Sequence, residues 1–160
     1  IERSLAERDG IDSHRARLMV VGSQLDDPGY LEVIESTGGL VVADRFCFGS
    51  LPGLDPIPES GDPLCVLAEH ALRKTRCPRM MGDFDVRLHD VEETVREFAV
   101  DGVIVETMKF CDIWGYEAAA LADALRAAGI PVLRVEREYA RGGEGQVRTR
   151  VQAFLESMGK

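Results

Sequence analysis

Apolar residues come in short unbroken runs, set apart by longer stretches in which they recur at helical spacing. RLMVVGS (17–23), LVVAD (40–44), GVIVE (102–106) and IPVLRVE (130–136) are the short runs. Runs of this length without polar alternation predict strands buried on both faces. The segment DDPGYLEVIESTGG (26–39) has a helix start at Asp26–Pro28 and a glycine stop. PLCVLAEHALRKT (63–75) is expected to be helical, with apolar residues at 64, 67, 68, 71 and 72. VRLHDVEETVREFAV (86–100), GYEAAALADALRAAG (115–129) and EGQVRTRVQAFLESMG (144–159) are the other expected helices. Residues 2–14 are mostly polar and read as the end of a preceding helix. RFCFGSLPGLDPIPESGDP (45–63), rich in proline and glycine, reads as a long loop, and loops of that length in a compact domain are functional or disordered. Apolar strands alternating with helices predict a flavodoxin-like three-layer α/β sandwich. Its four-stranded parallel sheet is expected in the order 2-1-3-4, within one domain over residues 1–160.

Composition narrows the function more than the fold. Hydrophobic residues make up 45% of the 160 residues and charged residues 29%, a globular balance that builds a core without staples. The net charge of -9 disfavours nucleic-acid and anionic-membrane partners, because phosphates would repel it. The apolar runs are too short for a membrane-spanning helix. Without a charged-then-apolar leader, a cytoplasmic, reducing setting is expected. The chain begins at Ile1 rather than Met, which suggests a piece of a longer protein.

In that setting the four cysteines, Cys47, Cys65, Cys77 and Cys111, are not expected to pair as disulfides. Ligands of open parallel sheets bind beyond the carboxyl ends of the strands. Cys47 follows the second strand, Cys111 follows the third, and Cys77 ends the helix after the long loop, fixed by Pro78 behind it. The three therefore converge on one edge, whereas Cys65 reads as a core or helix-surface thiol. Three thiolates with no fourth cysteine and no well-placed histidine suit an iron–sulfur cluster with one open iron, or a zinc site with an open position. The spacings of 30 and 34 residues match no local metal motif, and spacing alone favours buried reduced thiols. His14, His70 and His89 read as surface residues, and GGEGQ (142–146) as a loop leading into a helix. Trp114 and Tyr116 either shield a site at Cys111 or pack against the following helix.

DRFCFGS (44–50), RCPRM (76–80), DGVIVETMKFCD (101–112), GIPVLRVEREY (129–139) and GQVRTRVQAFLE (145–156) together resemble the 2-hydroxyacyl-CoA dehydratase D-component family. That family includes subunits of 2-hydroxyglutaryl-CoA dehydratase and of ATP-dependent benzoyl-CoA reductase. The resemblance implies a [4Fe–4S] cluster on Cys47, Cys77 and Cys111, with Cys65 not a ligand. It implies an ATP-dependent activator protein, with its own iron–sulfur cluster, that donates single low-potential electrons. The cluster would pass them to an acyl-CoA thioester, making a ketyl-type radical for dehydration or ring reduction. A homologous second subunit is the implied partner. Members are more than twice as long, so the chain resembles their C-terminal cluster domain. The competing expectations are a cluster-carrying redox protein of the double-cubane type without acyl-CoA chemistry, and a flavodoxin-like interaction domain with structural thiols.

Overall fold

The computed structural model describes residues 10–50, 56–73, 77–139 and 142–160. Four parallel strands, β1 (Ala16–Gly22), β2 (Gly39–Phe46), β3 (Gly102–Met108) and β4 (Val132–Arg137), form one sheet in the order β2-β1-β3-β4. Five α-helices are present among the described residues: α1 (Gly29–Glu35), α2 (Pro63–Arg73), α3 (Phe84–Glu97), α4 (Asp112–Ala127) and α5 (Glu144–Ser157). The expected parallel three-layer α/β arrangement and strand order are therefore present. The polar segment expected to end a helix at 2–14 lies largely outside the described residues.

Strand periodicity of two sends neighbouring side chains to opposite faces. Leu18, Val20, Ile104 and Val135 face one layer, against Val33 and Ile34 of α1 and Val151 and Leu155 of α5. Met19, Val21, Val103 and Val105 face the other, against Val91 of α3 and Trp114, Ala118, Leu121 and Leu125 of α4. Fully burying one such aliphatic side chain contributes roughly 1.5–3 kcal/mol. In α4 the buried positions 114, 118, 121, 122 and 125 form one helical stripe. Its end follows the expected glycine stop: Gly129 has φ +79°, and the amide of Ile130 bonds back to the carbonyl of Leu125 at 3.0 Å.

Several boundaries depart from the sequence reading, each for a polar residue inside an ordered element. β2 runs on through Arg45 to Phe46, because Arg45 is buried and fully engaged by side chains of α3. β3 continues past Glu106 to Met108. α4 starts at Asp112 rather than 115, so Gly115 is a helix residue and not its start. α2 buries none of its residues; Leu64 and Leu72 are 79% and 82% exposed, so its amphipathic pattern marks a helix without marking a core. Its described part ends at Arg73, and Cys77 itself lies in a bend; the expected end of this helix, at 74–76, lies outside the described residues.

Candidate functional site

The carboxyl edge of the sheet gathers the β2, β3 and β1 ends. Here β1 and β3 approach so closely that a Cβ on Gly22 would lie 1.9 Å from the carbonyl oxygen of Glu106, which is why a glycine closes β1. The next residue, Ser23, is buried, and its hydroxyl accepts the amide of Met108 at 2.9 Å. That bond locks the point at which β3 turns toward Cys111.

Cys47 and Cys111 both leave this edge. Cys47 follows β2 directly, in a turn that Asp44 closes by accepting the amide of Ser50 at 2.9 Å. Cys111 is the N-cap of α4, reached through a tight turn in which Phe110 takes φ +67° and the amide of Cys111 bonds the carbonyl of Met108 at 3.0 Å. A helix amino end favours negative charge beside it. The two are linked directly: the indole Nε1 of Trp114, one turn into α4, donates to Sγ of Cys47 at 3.4 Å. Trp114 is buried and belongs to the α4 core, while Tyr116 is 86% exposed, so the tryptophan both packs and reaches the thiol, and the tyrosine does neither.

Cys77 joins from the other side of α3. Its carbonyl accepts from Nη1 of Arg87 at 3.1 Å, and Pro78 behind it is buried. Two residues on, Arg79 is held above its usual pKa, first by a hydrogen bond with the Cys77 side chain and then by the negative charge of Cys77, with Cys47 and Cys111 also contributing. Cys65 is absent from that group; it sits on exposed α2, where its amide and that of Leu64 bond Oδ1 of Asp62 at 3.0 and 3.1 Å.

None of the four cysteines is buried, so the expectation of core thiols is corrected: Cys47 and Cys65 are exposed, Cys77 and Cys111 half-buried, and none is in a disulfide. Among the described residues no group of three His, Cys, Asp or Glu stands close enough to hold a single metal ion. Three thiols on three segments, one of them receiving an N–H bond, have the donor chemistry that an iron–sulfur cluster requires. A groove of about 220 Å³ opens beside Cys111, lined by Met108, Phe110, Gly115, Tyr116 and Glu136.

Sequence reasoning missed the buried charges of this edge. Arg45 pairs with Asp90 at 2.7 Å, and Arg87 pairs with Glu117. Glu106 is fully buried, and desolvation raises its pKa to about 7 against the opposing charge of Arg137, whose Nε lies 2.6 Å from Oε1. The one sequence signal available was an acidic residue inside the otherwise apolar run GVIVE.

Comparison with known proteins agrees with the family resemblance. A family model described as 2-hydroxyglutaryl-CoA dehydratase, D-component, matches residues 1–158. The chain is 29% identical over 147 residues to the putative dehydratase subunit YjiM of Escherichia coli (strain K12), covering 90% of this chain and 38% of that protein. It is 27% identical over 142 residues to the (R)-phenyllactyl-CoA dehydratase beta subunit of Clostridium sporogenes, covering 89% and 38%. It is 26% identical over 168 residues to the beta subunit of (R)-2-hydroxyglutaryl-CoA dehydratase of Acidaminococcus fermentans, covering 98% and 42%. The chain therefore spans about two-fifths of the length of the curated relatives it matches. No helix among the described residues is long and apolar enough to cross a membrane.

Proposed function

Given that the chain belongs to the 2-hydroxyglutaryl-CoA dehydratase D-component family, we propose that it is the cluster-binding portion of an acyl-CoA dehydratase or benzoyl-CoA reductase-type subunit, with Cys47, Cys77 and Cys111 holding a [4Fe–4S] cluster. When bound, the cluster supplies single low-potential electrons to a CoA thioester. Two of the matched relatives are named as beta subunits of acyl-CoA dehydratases, which supports a second subunit and an acyl-CoA substrate as partners; an ATP-dependent activator belongs to the same proposal.

The observation that carries the reading is geometric: Cys47 and Cys111 leave the same carboxyl edge, with Trp114 of the Cys111 helix donating to Cys47, and Arg87 ties the Cys77 turn to that same helix, while Cys65 sits apart on α2. The chain's own residues then have definite tasks. Trp114 donates an N–H to the sulfur of Cys47, a bond that tunes electron affinity. Arg79, hydrogen-bonded to the Cys77 side chain, would set a cation beside that ligand, which matters in a chain of net charge -9. The exposed Phe48 and Phe110 flank Cys47 and Cys111 in the chain and offer apolar surface to exclude water when a partner or substrate covers the edge.

Anaerobic reconstitution tests this on the four single cysteine-to-alanine variants. About four irons per chain are expected for the parent, as befits a cubane cluster. Cys47→Ala, Cys77→Ala and Cys111→Ala should each lose or destabilise it, while Cys65→Ala retains it. Loss on Cys65→Ala with retention on Cys47→Ala would refute the ligand assignment. A titration of the loaded protein with an acyl-CoA then tests the substrate class.

A further inference from the structure

α3 carries no thiol, yet the segments of Cys47, Cys77 and Cys111 are each tied to it or through it. Its inward face presents Arg87, Asp90, Val91 and Thr94, the i, i+3, i+4, i+7 positions of one helical stripe. Only Val91 of the four is apolar. A core-facing stripe made of an arginine, an aspartate and a threonine is costly to bury unless each group has a partner.

The partners are the segments that bear the cysteines. From β2, Arg45 sends Nε to Oδ2 of Asp90 at 2.7 Å and Nη2 to Oγ1 of Thr94 at 2.5 Å. The remaining nitrogen, Nη1, reaches the carbonyl of Asp44 at 2.8 Å and the hydroxyl of Ser50 at 3.2 Å, clamping both ends of the turn that holds Cys47. Arg87 forks onto Glu117 of α4, Nε to Oε1 at 2.7 Å and Nη2 to Oε2 at 2.5 Å. Its Nη1 bonds the carbonyls of Cys77 at 3.1 Å and Met80 at 2.8 Å. α4 is continuous from Glu117 back to its N-cap, Cys111. One guanidinium therefore joins the Cys77 turn to the Cys111 helix.

We propose that α3 is the frame that sets the spacing of the three thiols, and that Arg87 is the positioning residue that couples Cys77 to Cys111. The geometry stands on its own; its consequence for a cluster rests on the reading given above. A planar guanidinium with five N–H donors serves a carboxylate and two carbonyls at once. Lysine keeps the charge but has a single ammonium, which cannot span both sides. Glu117→Gln keeps the shape and one acceptor but removes the charge.

The test compares Arg87→Lys, Glu117→Gln and Arg96→Lys, the last on the exposed side of the same helix. Amide hydrogen exchange is followed at residues 77–80 in the metal-free chain. Iron retention under a chelator and the electron paramagnetic spectrum are followed in the reconstituted chain. In Arg87→Lys, exchange at 77–80 is expected to rise by about tenfold or more with the sheet amides still protected. Iron retention should fall by about tenfold or more, as when a residue supporting a ligand is lost, with an altered spectrum in what remains. Glu117→Gln should move in the same direction by less, and it decides the matter if Arg87→Lys fails to fold. Arg96→Lys should match the parent. If exchange and spectrum in both Arg87→Lys and Glu117→Gln match the parent, the frame is refuted. If the parent takes up no iron but exchange at 77–80 still rises in Arg87→Lys, the cluster reading fails and the brace stands.

Discussion

Two arginine–glutamate pairs lie at the carboxyl edge of the sheet, about equally hidden and very differently satisfied. The side chains of Arg87 and Glu117 are 7% and 9% exposed, those of Arg137 and Glu106 8% and 0%. The first is a planar fork with both carboxylate oxygens engaged and a third nitrogen spent on two carbonyls. The second is a contact by distance alone. Nε of Arg137 lies 2.6 Å from Glu106, yet neither oxygen of Glu106 nor that nitrogen has an aligned hydrogen bond. The other nitrogens of Arg137 turn toward Asp26 and the carbonyl of Gln24, and its guanidinium carbon stands 5.7 Å from the centre of the Tyr30 ring. Burial sets the cost of a charge, and alignment decides whether the partner repays it. The first pair joins segments; the second leaves an acid that titrates near neutrality.

The largest way to break the comparison is to delete each arginine. Arg87→Met should cost about 3–5 kcal/mol in urea unfolding, because a buried carboxylate loses its counter-charge. Arg137→Met should cost less at mildly acid pH, about 1–2 kcal/mol, since Glu106 takes up a proton in place of the lost ion and mainly a carbonyl bond is forfeited. Equal costs for the two would erase the distinction.

Next comes pH. Glu106 has a folded pKa of about 7 against an ordinary 4.5, so the native state keeps a proton that the unfolded state has released across that window. Stability from this group is therefore lost as pH rises from 4.5 toward 7, by about 1.4 kcal/mol per unit and about 3 kcal/mol in all. Glu106→Gln should lack that fall when unfolding free energy is measured at several pH values. A parallel pair of curves would show that Arg137 already holds Glu106 charged.

Smaller effects sharpen the boundary of the thiol site. Trp114→Phe keeps most of the ring volume and removes the donor to Cys47, and should cost about 1 kcal/mol or less in denaturant unfolding. Cys65→Ala, on a helix that buries nothing, should stay within about 0.5 kcal/mol of the parent.

The same contrast explains what could be read from the sequence. The central strands β1 and β3 announced themselves as apolar runs and are buried nearly throughout, whereas the edge strand β4 carries exposed Arg134 and Glu136 and buries Val135 alone. The ends of β2 and β3 were read short where Arg45 and Glu106 interrupt the pattern, since a charged residue reads as solvated until its partner is known. The carboxyl edge that carries Cys47 and Cys111 was legible from strand order. The braces were not. Asp90 stands 45 residues from Arg45 and Glu117 stands 30 from Arg87, separations that leave no local periodicity. α2 shows the converse: helical spacing of leucines was plain, but spacing alone does not say whether the apolar face is covered.

Those long separations also set an order of events. Loop closure must precede any tie across 45 or 30 residues, and its entropy is recovered only once distant contacts form. The thiol turns therefore reach their final spacing only when α3 has docked. On the proposed cluster reading, metal capture would be a maturation step on a chain already folded, not a nucleus for folding. In a refolding time course with iron and sulfide present throughout, the far-ultraviolet signal should recover first and cluster absorbance later, with the delay lengthened in Arg87→Lys; simultaneous recovery would show that the metal helps to gather the chain.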